Sequence, residues 1–265
     1  MKKKLIVMAS AIACMFAFAS CDDNPFTHVN VTDGALGEVN LVASNPEAGQ
    51  LGNQMYADGD SIHFSSALCN VATTLEQEII QGVTVEITVR NTVMVGLEKE
   101  LQEIQSESDV ELPIFGLNLR DTVVGNYPFT CPMHDFGFVT RVKELFSDGG
   151  KTNWLKLITQ GDSLLGNIFV IAADENGIYL AYDGSLDVTA FAAKNGNKLQ
   201  GTFNNVKAAY IAFDAVEDLS EMTEAERNAI GDLTLYFPTI TFNGELTSRR
   251  SDPMMNTVIS AIENQ

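Results

Sequence analysis

Polar and apolar residues alternate in short stretches along most of this chain. Ser61–Phe64 and residues 83–89 alternate with an excess of β-branched side chains, a pattern typical of strands that bury one face. Residues 168–171 and 178–182 are apolar runs of the length that strands have. The pattern predicts a chain built mainly of strands, with residues 83–89 half-buried.

Asn-Gly pairs separate several of these runs, and such pairs are strong short-range signals for a hairpin turn. Asn176-Gly177 lies between runs 168–171 and 178–182, and residues 194–197 contain a second pair. A third pair, Asn243-Gly244, separates residues 239–242 from 245–247. Consecutive strands joined by tight turns predict an all-β, mainly antiparallel fold. We expect a β-sandwich, with a closed barrel as the alternative.

Helical signals are few, and they lie late in the chain. Residues 223–226 read Thr-Glu-Ala-Glu, which is a capping box. The pair Asp-Pro at 252–253 precedes a stretch in which Met255, Val258, Ile259 and Ile262 fall on one helical face. We therefore expect a few short helices, including a C-terminal one. Its apolar stripe is expected to pack on the sheet, and docking to a partner is the alternative.

Residues 1–20 have the form of a lipoprotein signal peptide. Three lysines precede an apolar run of about 15 residues, shorter than the ~20 that an α-helix needs to cross a bilayer. Apolarity stops abruptly at Cys21, whereas Cys14 is followed by further apolar residues. The segment resembles a lipobox in which Phe18 stands where leucine is usual. The resemblance implies that Cys21 is acylated and anchors the chain in a bilayer.

Two aspartates follow Cys21, and they bear on location. Acidic residues at this position resemble the surface-export signal of Bacteroides-type lipoproteins; an inner-membrane retention signal is the alternative. We expect a lipid-anchored protein of the outer membrane that faces the cell surface. Residues 21–36 are polar and broken by Pro25 and Gly34, which predicts a flexible acidic tether. Residues 37–265 are then one β-rich globular domain, with 105–135 as an alternative internal boundary.

The charge balance limits the partners. The chain carries 16 basic and 35 acidic residues, a net charge of −19. Removal of residues 1–20 takes away three lysines and no acids, which leaves 13 basic residues and a net charge of −22. A polyanion of this kind repels nucleic acid and anionic lipid headgroups. We therefore expect no nucleic-acid partner, and high solubility of the body.

Two cysteines remain in the mature chain, Cys69 and Cys131. An oxidising envelope permits a disulfide between them, and the sequence leaves open whether their Cα atoms lie close enough. Cys131 and His134 have the Cys-x-x-His spacing, yet a structural zinc ion needs four ligands. We expect no metal site and no cofactor.

Residues 161–164 read Gly-Asp-Ser-Leu and resemble the signature of the SGNH hydrolases, which implies Ser163 as nucleophile. The chemistry needs an imidazole base and a carboxylate that orients it. Asp60 and His63 have the Asp-x-x-His spacing of that family, but they precede the serine, and so do the other two histidines, His28 and His134. Gly-Asp-Ser is also good turn chemistry. We expect a turn and no catalytic residue, with Ser163 and His63 of an envelope hydrolase as the alternative.

The ligand is the least constrained feature. Glycan capture usually needs exposed aromatic platforms, and the single tryptophan, Trp154, lies in a run, 154–157, that we predict to be a buried strand. Residues 112–124 and 201–203 resemble the β motifs of calycin-like lipoproteins, which implies a barrel. The sequence therefore favours a non-enzymatic binding or structural module at the envelope. Its ligand is a small molecule, a glycan or a protein, and a surface-assembly subunit is a further alternative.

Overall fold

The computed structural model describes residues 36–50, 55–80, 83–98, 112–133, 138, 153–230 and 236–263. The strands are β1 (Gly37–Glu47), β2 (Ser61–Phe64), β3 (Ser66–Ile80), β4 (Val83–Leu97), β5 (Ile114–Leu119), β6 (Gly125–Pro128), β7 (Ile168–Asp174), β8 (Gly177–Ala190), β9 (Lys198–Ala212) and β10 (Thr239–Arg250). The helices are α1 (Asn153–Gln160), α2 (Phe213–Glu221), α3 (Glu224–Ile230) and α4 (Asp252–Glu263). Residues Gly37–Gln265 form one compact unit.

The strands pair into one sheet that closes on itself. Strands β3, β4, β5, β7, β8, β9 and β10 follow one another around the ring, each pairing with the next. The ring closes where β10 returns to β3, through a short parallel pairing of Arg249 with Leu68 and Arg250 with Cys69. The other pairings are antiparallel; among them β1 flanks β10, β2 flanks β1 and β6 flanks β8. The predicted all-β, mainly antiparallel fold is confirmed, and the closed ring matches the barrel alternative.

Aromatic rings fill the inside of this ring. The Phe169 ring on β7 lies 5.3–5.8 Å, centroid to centroid, from the rings of Phe115, Phe129, Phe203 and Phe242. These partners belong to different parts of the sheet, and all five side chains are buried. Because edge-to-face pairs add to the burial of large apolar surfaces, this cluster is the centre of the core.

Helices α1, α2 and α4 pack against strands of the ring. Helix α1 carries Trp154 and is pinned to β5 by Asn118, whose Nδ2 donates to the Ile158 carbonyl at 2.6 Å. The sequence predicts a buried strand at residues 154–157. Burial is confirmed for three of the four, but the residues form part of a helix and not a strand. Trp154, Leu155, Leu157 and Ile158 are buried, and this spacing fits one face of a helix.

The two late helices lie where the sequence predicts them. Thr223 and Glu226 form the capping box of α3: Thr223 N donates to the Glu226 carboxylate at 2.7 Å, and Glu226 N donates to Thr223 Oγ1 at 3.3 Å. In the predicted stripe of α4, Met255, Val258 and Ile262 are buried and Ile259 is half-buried, and α4 packs beside β3. The stripe is thus part of the core and is not open for docking.

One predicted turn is wrong. Asn243-Gly244 lies inside β10, at a bulge in its pairing with β9. A Cβ at position 244 would lie 1.9 Å from the backbone oxygen of Asn40 on β1, so the glycine permits the close approach of that strand. The hairpin predicted at Asn176-Gly177 is confirmed, since β7 and β8 pair on either side of it.

Strands β3 and β4 extend well beyond the ring. They pair with each other from Ser66–Leu97 to Ile80–Val83. Among the described strands, their outer edges have neighbours near the body alone, where β10 pairs with residues 68–69 of β3 and β5 pairs with residues 92–97 of β4. We call the remainder, residues 71–80 and 83–91, the β3–β4 arm. The prediction that residues 83–89 are half-buried along one face is wrong for their first half, because residues 83–86 are all exposed.

Candidate functional site

The Gly-Asp-Ser-Leu tetrad forms a turn between α1 and β7. Gly161 has a φ of +71° and donates its N–H to the Leu157 carbonyl at 3.0 Å, which ends the helix. Asp162 is buried, and its Oδ1 accepts from Leu164 N at 2.9 Å. Ser163 is exposed at the tip. Here a helix precedes the serine and a strand follows it, the reverse of the order in SGNH hydrolases.

The structure gives the predicted base and its orienting carboxylate other partners. His63 is exposed on β2, and its Nδ1 lies 2.6 Å from Asn40 Oδ1 on β1. The Asp60 carboxylate accepts from Ala57 N at 2.7 Å and so closes the loop that precedes β2. The Asp-x-x-His spacing here is thus a loop cap followed by a surface histidine. His28 and His134 lie outside the described residues, and so does Cys21.

The two cysteines are free thiols in separate surroundings. Cys69 lies on β3, where burial raises the pKa of its thiol to about 11 despite the neighbouring Ser248 hydroxyl and Arg250, which lower it. Cys131 follows β6, and burial together with the charge of Asp162 raises the pKa of its thiol. The disulfide that the sequence left open is not formed. Buried protonated thiols are unreactive.

We predict that both thiols resist alkylation in the folded protein. At about pH 8 iodoacetamide should label neither Cys69 nor Cys131, and it should label both in denaturant, as mass spectrometry of peptides would reveal. Since folding raises the Cys69 pKa from 9.0 to about 11, its contribution to stability is complete below pH 9 and is lost as the pH rises to about 11. Urea midpoints should fall across that interval; rapid labelling at neutral pH would contradict the buried placement.

Tyrosine side chains occupy one end of the enclosed interior. The Tyr179 ring lies 5.4 Å from the Tyr56 ring and 5.2 Å from the Tyr210 ring. The Tyr179 hydroxyl accepts from Met55 N at 3.0 Å, and the Tyr210 hydroxyl donates to Asp174 Oδ1 at 2.9 Å. Burial is the main cause that raises the pKa of all three phenols. They are therefore protonated at neutral pH and act as fixed hydrogen-bonding groups.

The described strands thus enclose their own side chains. The phenylalanine cluster fills the middle of the ring and the tyrosines fill one end, so the position at which a barrel commonly holds a small ligand is taken by the protein itself. Trp154 is 2% exposed, so it provides no platform on which a sugar could stack. Because these side chains are buried, they leave a contact surface to the exposed residues of the described chain.

The β3–β4 arm is one such surface. Val83 and Val85 are 62% and 37% exposed, and Leu75 on β3 is 72% exposed. Ile87 and Val89 continue the row of Val83 and Val85 along one face of β4, and both are half-buried. Sequence reasoning recognised the strand but not the surface. The available signal was the row of four β-branched apolar residues at alternate positions, 83, 85, 87 and 89.

The described residues contain neither a candidate metal site nor a candidate membrane-spanning helix. Among the described residues no three His, Cys, Asp or Glu side chains group together in a way that could hold a metal ion. Within the same part of the chain, no helix combines the length and the apolarity needed to span a membrane. No protein-family model matches the chain, and no curated protein or solved structure matches it either.

Proposed function

We propose that this protein is a lipid-anchored module of the cell envelope that binds a protein partner through the β3–β4 arm and catalyses no reaction. The observation that carries the proposal is the arm itself. Val83 and Val85 are exposed apolar neighbours on one face of β4, on a chain with a net charge of −19. Leu75, which pairs with Thr88, is exposed on the opposite face of the arm. Contiguous exposed apolar residues with a polar surround are typical of protein contact sites.

The packed interior supports a protein partner over a small molecule. A ligand inside the ring would have to displace rings such as Phe169 and Phe115, which are completely buried. Each of those rings contributes both apolar burial and aromatic contacts to stability. An outer surface needs no such displacement. A strand or a flat apolar face of another protein fits the arm, since open edges and β-branched rows are what strand addition uses.

The sequence supports the place of action. Acylation at Cys21 would supply the bilayer anchor, and the aspartates that follow resemble the surface-export signal of Bacteroides-type lipoproteins. An outer-membrane, outward-facing position brings the arm within reach of other surface proteins. In this proposal Ser163 and His63 have no catalytic role, because the turn and the β1–β2 contact each account for one of them.

The test is chemical crosslinking in intact cells. We expect formaldehyde to crosslink the full-length protein to a partner protein. These adducts should be lost when Val85 and Ile87 are both replaced by lysine, because two charges then interrupt the apolar row. The matched control is Val124→Lys, at a valine that is 57% exposed and lies in the connection between β5 and β6, outside the arm, which should leave the adducts in place. Adducts that persist unchanged in the double variant would refute the proposal.

A further inference from the structure

The free edge of the arm can pair with itself. On the side of β4 where β5 pairs with residues 92–97, residues 83–91 meet no other strand of the described chain. The unpaired N–H and C=O groups of an edge strand are a template for a further strand. We propose that a second copy of this chain adds its own β4 there, antiparallel, about a two-fold axis at Ile87. This rests on the proposed function and names the partner.

The geometry of the arm calls for such an addition. A two-stranded ribbon is marginally stable in water, and three or more strands with an apolar face are needed for independent stability. Residues 83–91 would span roughly 30 Å at ~3.4 Å per residue. Pairing of the two β4 edges turns two ribbons into one sheet with the order β3, β4, β4, β3. In that sheet each β4 is an inner strand, because its formerly open edge is paired with the β4 of the other copy.

Steric limits define one end of the pairing. With the axis at Ile87, Val83 of one copy lies opposite Asn91 of the other, which is the last residue before the β5 pairing begins. The whole free edge is used. With the axis one residue further along, Thr84 would lie opposite Thr92, whose open side already pairs with Leu119 of β5. That register is blocked.

Charge excludes the register on the other side. An axis at Glu86 would set the two Glu86 carboxylates directly opposite each other, and like charges at opposed positions destabilise a sheet. With the axis at Ile87, each Glu86 lies opposite Thr88 and diagonal to Arg90 of the second copy. Glu86, Thr88 and Arg90 are all exposed. The two attractive diagonal pairs between Glu86 and Arg90 then outnumber the single repulsive diagonal pair between the two Glu86 carboxylates.

The apolar row of β4 is self-complementary in the same register. Ile87 lies opposite Ile87 of the second copy, and Val85 lies opposite Val89 in both directions. Opposed β-branched residues stabilise antiparallel pairs. The contact is small beside the ~1,600 Å² of a standard protein interface, so a shared membrane, which raises the local concentration of both copies, favours it. The chain's net charge of −19 is screened beyond about 8 Å at physiological salt.

The test is site-specific disulfide trapping in intact cells. Directly opposed residues in an antiparallel pair have Cα atoms about 4.5–5.5 Å apart, within disulfide range. Under a mild oxidant, Ile87→Cys should therefore give a covalent dimer of full-length protein. The matched control is Val85→Cys, whose counterpart would be displaced by four residues, or roughly 13 Å, and it should stay monomeric. The native thiols are buried, so the wild type reports the background.

Sedimentation of the full-length protein in mild detergent supplies a second measurement. Ile87→Lys should weaken dimerisation at least tenfold, while Thr88→Lys should retain it, because that lysine would oppose Glu86 of the second copy. Equal trapping at positions 85 and 87 would overturn the register. No trapping together with monomeric wild-type protein would overturn self-pairing. If adducts with a different protein still depend on Val85 and Ile87, the proposed function stands and only the self-pairing fails.

Discussion

Replacing Cys21 by serine should move the protein from the membrane fraction to the soluble fraction. A serine hydroxyl does not accept the diacylglyceryl group in place of the thiol, so the acyl chains are lost. Each buried methylene contributes about 0.8 kcal/mol, and stable anchoring needs at least two chains. The remaining body is acidic and gains nothing from anionic headgroups. Fractionation followed by an alkaline carbonate wash and immunoblotting would measure the shift, which we expect to be nearly complete.

Two comparisons make this result specific. Cys14→Ser removes the other cysteine of the leader and should leave membrane retention unchanged. A cleavable secretory leader in place of residues 1–21 separates the loss of acyl chains from a failure to cleave the signal peptide. If both Cys21→Ser and the leader replacement stay with the membrane after the carbonate wash, the anchor lies elsewhere in the chain.

Local patterns were sufficient where local chemistry decides the structure. The β7–β8 hairpin follows from two apolar runs around a turn, in which Asp174 Oδ1 accepts from Asn176 N at 2.8 Å. The start of α3 follows from its capping box. The C-terminal helix follows from the spacing of its buried residues. In each case the interacting groups lie within a few positions of one another, so the sequence window contains the whole cause.

Two of the errors arose where a distant strand decides the outcome. Gly244 serves a close approach of β1, about 200 residues away in the chain, and not the turn that its asparagine neighbour indicates. Closure of the ring depends on the pairing of residues 249–250 with 68–69, which no local pattern reveals. For that reason the sequence could not choose between a sandwich and a barrel.

The candidate surface was missed for a related reason. Alternation in residues 83–89 indicates a strand with one apolar face, and a core is the usual cover for such a face. Whether a cover exists depends on where neighbouring strands end. Strand β5 ends at Leu119, opposite Thr92, so β5 does not flank the outer half of β4. Sequence identifies the apolar row; the lengths of the neighbouring strands determine that the row is exposed.

The aromatic cluster has the same dependence on distant contacts, and it bears on which kind of ligand the proposed binding module would hold. A barrel with a hollow interior can hold a small ligand, whereas a filled one binds at its surface. Phe169 is the ring that the others share, since it contacts Phe115, Phe129, Phe203 and Phe242. The effect of removing this ring on stability therefore measures how tightly the interior is packed.

Phe169→Ala should lower the free energy of unfolding by about 3–5 kcal/mol, the usual cost of deleting a fully buried aromatic side chain. Urea unfolding of the full-length protein followed by circular dichroism would measure it. The matched control is Phe191→Ala, at a half-buried phenylalanine between β8 and β9, where a loss of about 1 kcal/mol is expected. Equal, small losses at both positions would mean that the interior is loosely filled, and a small-molecule ligand inside the ring would then be the better hypothesis.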